Sequence, residues 1–212
     1  MNRIVIFGAG GRAGRRAVAE AASRGHAVTA VVRDPDARPD LAREGVTVVA
    51  GDVTDTADVA TIAAGHDAAI TAAARLDVPA LDFYTAATTA LGAGLAKAGV
   101  ARLVLAGMGP VLEVAPGRRL LDEPDFPPDH RTFALGHVAQ LDVLATTGLD
   151  WVVLAPPVVF LNDAAERTGR YRTGGTALLR PPDAPFSYAD FAVALVDEAD
   201  DPRHRGLVAV GA

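Results

Sequence analysis

The sequence predicts an α/β fold: a doubly wound, mostly parallel sheet with a small C-terminal cap. Three observations carry that reading. Short β-branched apolar runs alternate with alanine-rich helical stretches along most of the chain. Those runs are apolar throughout instead of alternating with polar residues, as strands covered on both faces are. A bare stretch of glycine and alanine also joins the first run to the first helix.

Taken in order, "RIVIF" (Arg3–Phe7) is the first strand, and "GRAGRRAVAEAASRG" supplies a helix closed by Gly25. "HAVTAVV" (His26–Val32) and "VTVVAG" (Val46–Gly51) are the second and third strands. "TDTADVATIAAG" reads as a short helix capped by Thr54 or Asp55. "DAAITAAA" (Asp67–Ala74) is the fourth strand, residues 79–99 form a long helix ending at Gly99, and "RLVLAG" (Arg102–Gly107) is the fifth strand. The stretch 108–129 is dense in Pro and Gly without periodicity and reads as a lid loop. A helix over His130–Thr147 then leads to a sixth strand, "LDWVVLAPP", stopped by two prolines. In the tail, "GRYRTGGTALL" suggests a hairpin around Gly174 and Gly175, a helix begins at Ser187, and "GLVAVG" is a late strand. Residues 1–212 are thus expected to form one domain, with cap elements over 158–190 at the carboxyl edge of the sheet.

Composition narrows the function classes. Half of the 212 residues are hydrophobic and 22% are charged, enough apolar material for a packed core. A net charge of −6 argues against nucleic acid as a partner, since its binders carry a basic field. There is no cysteine, so thiolate nucleophiles and cysteine-ligated metals are excluded. The acidic run Asp122, Glu123, Asp125 is interrupted by Pro and has no histidine pair beside it, so no metal site is expected. No membrane span or secretory leader is legible, and the expectation is a cytoplasmic protein, monomer or homodimer, acting on a small-molecule substrate.

The turn "FGAGGRAG" holds two overlapping glycine patterns: Gly8-x-Gly10-x-x-Ala13 and Gly8-x-x-Gly11-x-x-Gly14. Either fits a dinucleotide-binding turn between a first strand and a first helix. Side chains there would block the tight turn, the approach of backbone N–H groups to a pyrophosphate, or the contact of helix with strand. The phosphates would rest on the positive end of the helix, with Arg12 placed to add a contact. The second strand ends "VVRDP", so Arg33 precedes Asp34. A guanidinium can pair a ribose 2′-phosphate through two hydrogen bonds, which favours NADP(H) over NAD(H). In "GDVTD", Asp52 and the Val53 backbone are placed to meet adenine, although Asp52 equally suits a turn; the small Ala73 and Ala74 suit the ribose and pyrophosphate.

These segments together resemble the atypical short-chain dehydrogenase/reductases of the NmrA-like, NAD(P)H-binding kind. "IFGAGGRAG" is similar to their "GATGxxG" turn, with Gly10 where Thr is usual, and "VVRDP", "GDVTD", "AITAAA" and "GLDWVVLAPP" follow in the expected order. "LVLAGMGPVLEVAPGRRLLDEPDFP" and "ERTGRYRTGG" look like segments of small bacterial oxidoreductases of this group, and a more distant similarity is to biliverdin-IXβ/flavin reductase. The resemblance implies a Rossmann domain, with the nicotinamide near Gly107–Met108 and Pro156–Val158.

It also implies an active centre that this chain lacks. The wider superfamily uses a Ser after strand five and a Tyr-x-x-x-Lys on the next helix. Here Gly107 and Met108 follow the strand, Phe133 falls at the tyrosine position and His137 at the lysine position. Phenylalanine transfers no proton. With an ordinary pKa near 6.5, His137 suits proton delivery, or it can hydrogen-bond the cofactor or substrate, or be structural. His130, Asp129, Tyr171 and Tyr188 are weaker candidates. Three readings follow: an NADPH-dependent reductase of a small carbonyl, quinone or flavin-like acceptor; a non-catalytic NADP(H) sensor; and a non-redox cyclase or isomerase.

Overall fold

The computed structural model describes residues 1–157, 161–179 and 186–212. Its strands are β1 (Arg3–Phe7), β2 (Ala27–Val32), β3 (Val46–Ala50), β4 (Ala68–Thr71), β5 (Arg102–Ala106), β6 (Glu113–Ala115) and β7 (Arg118–Arg119). They continue with β8 (Asp150–Ala155), β9 (Leu161–Asn162), β10 (Arg172–Thr173), β11 (Phe186–Ser187) and β12 (Gly206–Gly211). The helices are α1 (Arg12–Ser23), α2 (Thr56–Ala63), α3 (Ala80–Ala98), α4 (Pro128–Leu144) and α5 (Tyr188–Asp200).

The main sheet runs β10-β12-β8-β5-β4-β1-β2-β3, parallel except where β10 joins β12. This is a Rossmann fold. Strand order reverses between β1 and β4, where such sheets open a crevice at their carboxyl ends. Successive β1 residues feed opposite layers: Ile4 and Ile6 pack with α1 and α5, Val5 and Phe7 with α2, α3 and α4. All four are fully buried, which is why the run reads as continuously apolar. No helix among the described residues is long and apolar enough to cross a membrane.

Several boundaries differ from the sequence reading, each for a local reason. β4 stops at Thr71, so Ala72–Ala74 leave the sheet and cross the end of β1. α2 takes Asp55, not Thr54, as its cap, its carboxylate accepting from the Ala57 and Asp58 amides at 2.7 and 3.1 Å. α4 starts at Pro128, a residue whose fixed φ suits a first helical turn. Segment 108–129 is built of two short 3-10 turns and the β6–β7 ribbon. It buries Val111, Leu112, Leu121 and Phe126, and Arg131 of α4 donates to the carbonyls of Leu121, Glu123 (2.9 Å) and Phe126 (3.1 Å). The expected hairpin around Gly174 and Gly175 does not pair with itself. Arg172 and Thr173 extend the open edge of β12, and Ala177 bridges to Glu113.

Two polar networks tie neighbouring elements together. In one, Glu20 of α1 accepts from Arg24 and, through both oxygens, from Arg167 at 2.9 Å. Burial pulls the Glu20 carboxyl up, but these two guanidiniums hold it below its ordinary range. In the other, at the amino end of β5, Arg102 is 5% exposed. It reaches Glu198 of α5 at 2.7 Å and Asp150 of β8 at 3.1 Å, and donates to the carbonyls of Glu198 and His204.

Candidate functional site

A cleft of about 840 Å³ opens over the carboxyl ends of β1, β2, β4 and β5, where strand order reverses. At its centre lies the glycine turn, whose glycines do different work. Gly8 has φ +73°, and a Cβ there would stand 2.5 Å from the Ala73 Cα, so the exits of β1 and β4 touch main chain to main chain. A Cβ on Gly14 would meet the Gly8 carbonyl oxygen at 2.1 Å; its bareness lets α1 start against the turn. Gly11 is the N-cap of α1, and Gly10 lies under the Arg38 guanidinium, whose Nε would be 2.7 Å from an added Cβ. Between the two overlapping patterns, the packing favours Gly8-Gly11-Gly14. Gly14→Ala is expected to destabilise the fold by about 1–3 kcal/mol, because main chain rather than a pliable side chain must move. Urea unfolding measures this, and a neutral result would mean the helix start is not tightly seated.

The first turn of α1 has no side-chain cap and no acidic residue. Its N–H groups therefore present an uncompensated positive end to the cleft, as an anion site requires. Arg12 and Ala13 line the cleft, and the Arg12 guanidinium sits 5.4 Å over the ring of Tyr188, which lines it too. Beyond the turn, Arg33 and Arg38 flank the cleft, and neither side chain has a hydrogen-bond or ion-pair partner among the described residues. Asp34 also lines the cleft, but its carboxylate accepts from the Asp36 and Ala37 amides at 3.1 and 3.3 Å. Asp52 lines the cleft but commits its carboxylate to the Thr54 hydroxyl and amide at 2.7 and 2.8 Å, which lowers its pKa. Val53, Ala73 and Ala74 line the same end.

At the other end, Gly107 and Met108 follow β5. A Cβ on Gly107 would fall 2.4 Å from a Val153 methyl, so any larger residue here would have to displace that side chain. Four aromatic rings close this end: Phe83 and Tyr84 from α3, Phe133 and His137 from α4. The helices meet where Gly136 lies against Ala80; a Cβ there would be 2.8 Å from that main chain and 2.9 Å from the Tyr84 ring. That approach stacks the His137 ring 4.0 Å from the Tyr84 ring. His137 is 4% exposed, with Nδ1 3.1 Å from the Gln140 Oε1. An amide oxygen only accepts, so Nδ1 carries the proton and Nε2 offers a lone pair. Burial pulls the imidazole down to about 4, against a smaller upward pull from Gln140. The expected value near 6.5 is thereby corrected: at neutral pH this histidine is uncharged and holds no spare proton.

Of the other sequence candidates, Gly14 and Pro156 are buried behind the cleft wall, and Val158 lies outside the described residues. Asp129 and His130 are exposed on the first turn of α4, away from the cleft. The Tyr171 hydroxyl donates to Asp197 of α5 at 2.6 Å and does not line the cleft. From the expected lid, only Met108 lines the cleft. Sequence reasoning missed Arg38 and Tyr84. The signal for Arg38 was the Pro35–Asp36 turn, which folds "DARP" back over the glycines. For Tyr84 it was a lone hydroxyl on the apolar face Ala80, Phe83, Tyr84, Ala87, in the first turns of the helix after β4.

Residues 8–202 match the model of the NAD(P)H-binding family. The chain belongs to that family. The NAD(P)H-binding assignment agrees with a cradle that a Cβ would fill and an uncapped helix start beside it: the residues present fit a nicotinamide dinucleotide. The chain is 32% identical to the protein YwnB of Bacillus subtilis, whose function is uncharacterised, over 96% of this chain and 94% of that one. Among solved structures, a candidate exported protein of Burkholderia pseudomallei is 36% identical, with a TM-score of 0.85 over 99% of both chains. A candidate NADH-flavin reductase of Streptococcus pneumoniae is 28% identical, with a TM-score of 0.82 over 99% of both.

Proposed function

We propose that the protein is an NADPH-dependent reductase of a small carbonyl, quinone or flavin-like acceptor, working without the Tyr-Lys proton relay. The observation that carries this reading is the continuity of one cleft. It runs from the arginine-rimmed start of α1, past Gly107–Met108, to a pocket end walled by aromatic rings. The amides of Arg12 and Ala13 and the Arg12 guanidinium would hold the pyrophosphate. Arg33 and Arg38, with the Asp34 carboxylate engaged by its own turn amides, would pair a 2′-phosphate and select NADP(H). Val53, Ala73 and Ala74 would pass beside the adenosine, and the nicotinamide would sit by Gly107 and Met108. When bound, the reduced cofactor supplies a hydride. Planar, easily reduced acceptors suit the aromatic end and tolerate the phenylalanine at position 133, because water can supply their proton. The candidate flavin reductase among the similar structures supports the same acceptor class.

The absent relay also favours a second reading, a protein that binds NADP(H) and reports its redox state without turnover. Calorimetric titration with NADPH, NADP, NADH and NAD tests the cofactor assignment. NADPH should bind far better than NADH, and Arg33→Ala should remove about 1.5–3 kcal/mol of that preference, or roughly one to two decades in affinity. Equal affinity for both cofactors would overturn the arginine assignment. NADPH oxidation with menadione or FMN well above the buffer rate supports the reductase; none with any acceptor of the class leaves the sensor.

A further inference from the structure

Tyr84 has no place in any of the roles above, and its situation is unusual. The residue is 4% exposed, yet its hydroxyl has no hydrogen-bond partner among the described residues. Nor is that oxygen among the fully enclosed, unpaired polar atoms, so it keeps an opening, and the only void that Tyr84 lines among the cavities described is the cleft. A buried phenol normally finds a partner, because an unmade hydrogen bond costs about 1–3 kcal/mol. The Nε2 of His137 is in the same state: the residue is 4% exposed, Nδ1 is spent on Gln140, and Nε2 is neither enclosed nor bonded. The two rings lie 4.0 Å apart, edge-on to Phe133, whose centroid is 5.7 Å from that of Tyr84 and 5.5 Å from that of His137. One donor and one acceptor, carried on neighbouring rings, thus stand unpaired among the described residues on an apolar wall.

We infer that the Tyr84 hydroxyl is the hydrogen-bond donor that grips the carbonyl oxygen of the hydride acceptor, with the His137 Nε2 beside it taking a hydrogen bond from a ring N–H, a hydroxyl or a bound water. The inference rests on the reductase reading and adds what binds the acceptor. The pair suits a planar ring carbonyl flanked by a donor, as in a flavin or a hydroxyquinone. The acceptor gains the hydride that the cofactor loses, and negative charge gathers on the gripped oxygen. A fixed donor in a water-poor pocket end stabilises that charge far better than bulk water does. Tyr84 shares its proton without giving it up, and the proton that completes reduction comes from water. Burial, which pushes this phenol above its ordinary 10, keeps the donor protonated throughout the working range. The role thus moves from the α4 position, filled by Phe133, to a neighbouring helix.

Tyr84→Phe keeps the ring that packs on Phe83, Phe133 and His137 and deletes only the donor. With menadione as the probe, kcat/KM should fall about 10- to 100-fold while the NADPH dissociation constant stays within about twofold. A readout independent of turnover is the carbonyl stretch of menadione bound to the protein. It should lie at lower frequency in the wild type than in Tyr84→Phe. An unchanged stretch and unchanged kcat/KM would make Tyr84 a packing residue and overturn the inference. So would a matching loss of NADPH affinity, which would assign the pair to the cofactor, or a failure of the wild type to bind menadione. A wild type that shows the lowered stretch but does not oxidise NADPH would leave the grip standing and defeat the reductase reading alone. His137→Gln serves as a second variant, expected to weaken binding of FMN, whose ring N–H would meet Nε2, while leaving the lowered menadione stretch in place; unchanged FMN affinity would remove the histidine from the pair, and loss of that stretch would assign the grip to the histidine instead.

Discussion

Arg102→Ala is expected to remove about 3–5 kcal/mol of stability, the cost of breaking a buried ion pair by deleting one partner. Glu198 is 3% exposed and would keep only the His204 side chain, at 2.5 Å, and backbone amides as partners. The carbonyls of Glu198 and His204 would lose their donor as well. A typical domain is stable by only 5–15 kcal/mol, so the variant should unfold at a much lower urea midpoint. The pair itself need not be stabilising relative to an apolar one. Arg102→Met combined with Glu198→Leu should therefore recover most of the loss, as replaced buried pairs often do. A single-variant loss below about 1 kcal/mol would show that the network is wetter than its burial suggests. The cleft lies at the other end of the sheet, so cofactor affinity should change little in protein that remains folded.

Acid should weaken the fold through His137. Burial holds the folded imidazole at about 4, whereas an unfolded one titrates near 6.5. The unfolded chain thus takes up this proton first. The stability that comes from a neutral His137 is complete above pH 6.5, drains as pH falls from 6.5 towards 4, and levels off below that. Over that window the contribution is on the order of 3 kcal/mol, each pKa unit being worth about 1.4. Carboxylates add their own acid dependence, so the test is a difference: urea unfolding at pH 7.5 and 4 for the wild type and for His137→Phe, which retains a ring against Tyr84. The variant should lose less stability across the interval. An equal loss would mean that the histidine can protonate inside the fold.

What could be read from the chain, and what could not, divides along physical lines. Inner strands buried on both faces leave unbroken apolar runs, and the half-buried edge strand β3 keeps its valines, so every main-sheet strand but the edge piece β10 is legible. The glycines at 8 and 14 were legible because no other residue fits against main chain that closely. The tail was misread because its partners are distant in sequence. Residues 172–177 join β12 and Glu113 rather than each other, and nothing local in "RYRTGGTA" encodes that. Tyr84 was passed over for a similar reason. Its meaning comes from His137, brought beside it by the contact of Gly136 with Ala80, and a pattern within either helix reads simply as core. His137 was found by counting back from the sixth strand, but its protonation state depends on burial, which position alone does not give.

The bare start of α1 has a thermodynamic consequence. A helix that carries its own side-chain cap satisfies part of its N-terminal N–H groups without a ligand; this one leaves them for an anion to satisfy. Occupancy of the cleft and integrity of the fold are then linked quantities. A nucleotide held at about a hundred times its dissociation constant would add roughly 2.7 kcal/mol to the folded state. The melting temperature of this protein would then follow the nucleotide pool around it, whatever acceptor it serves.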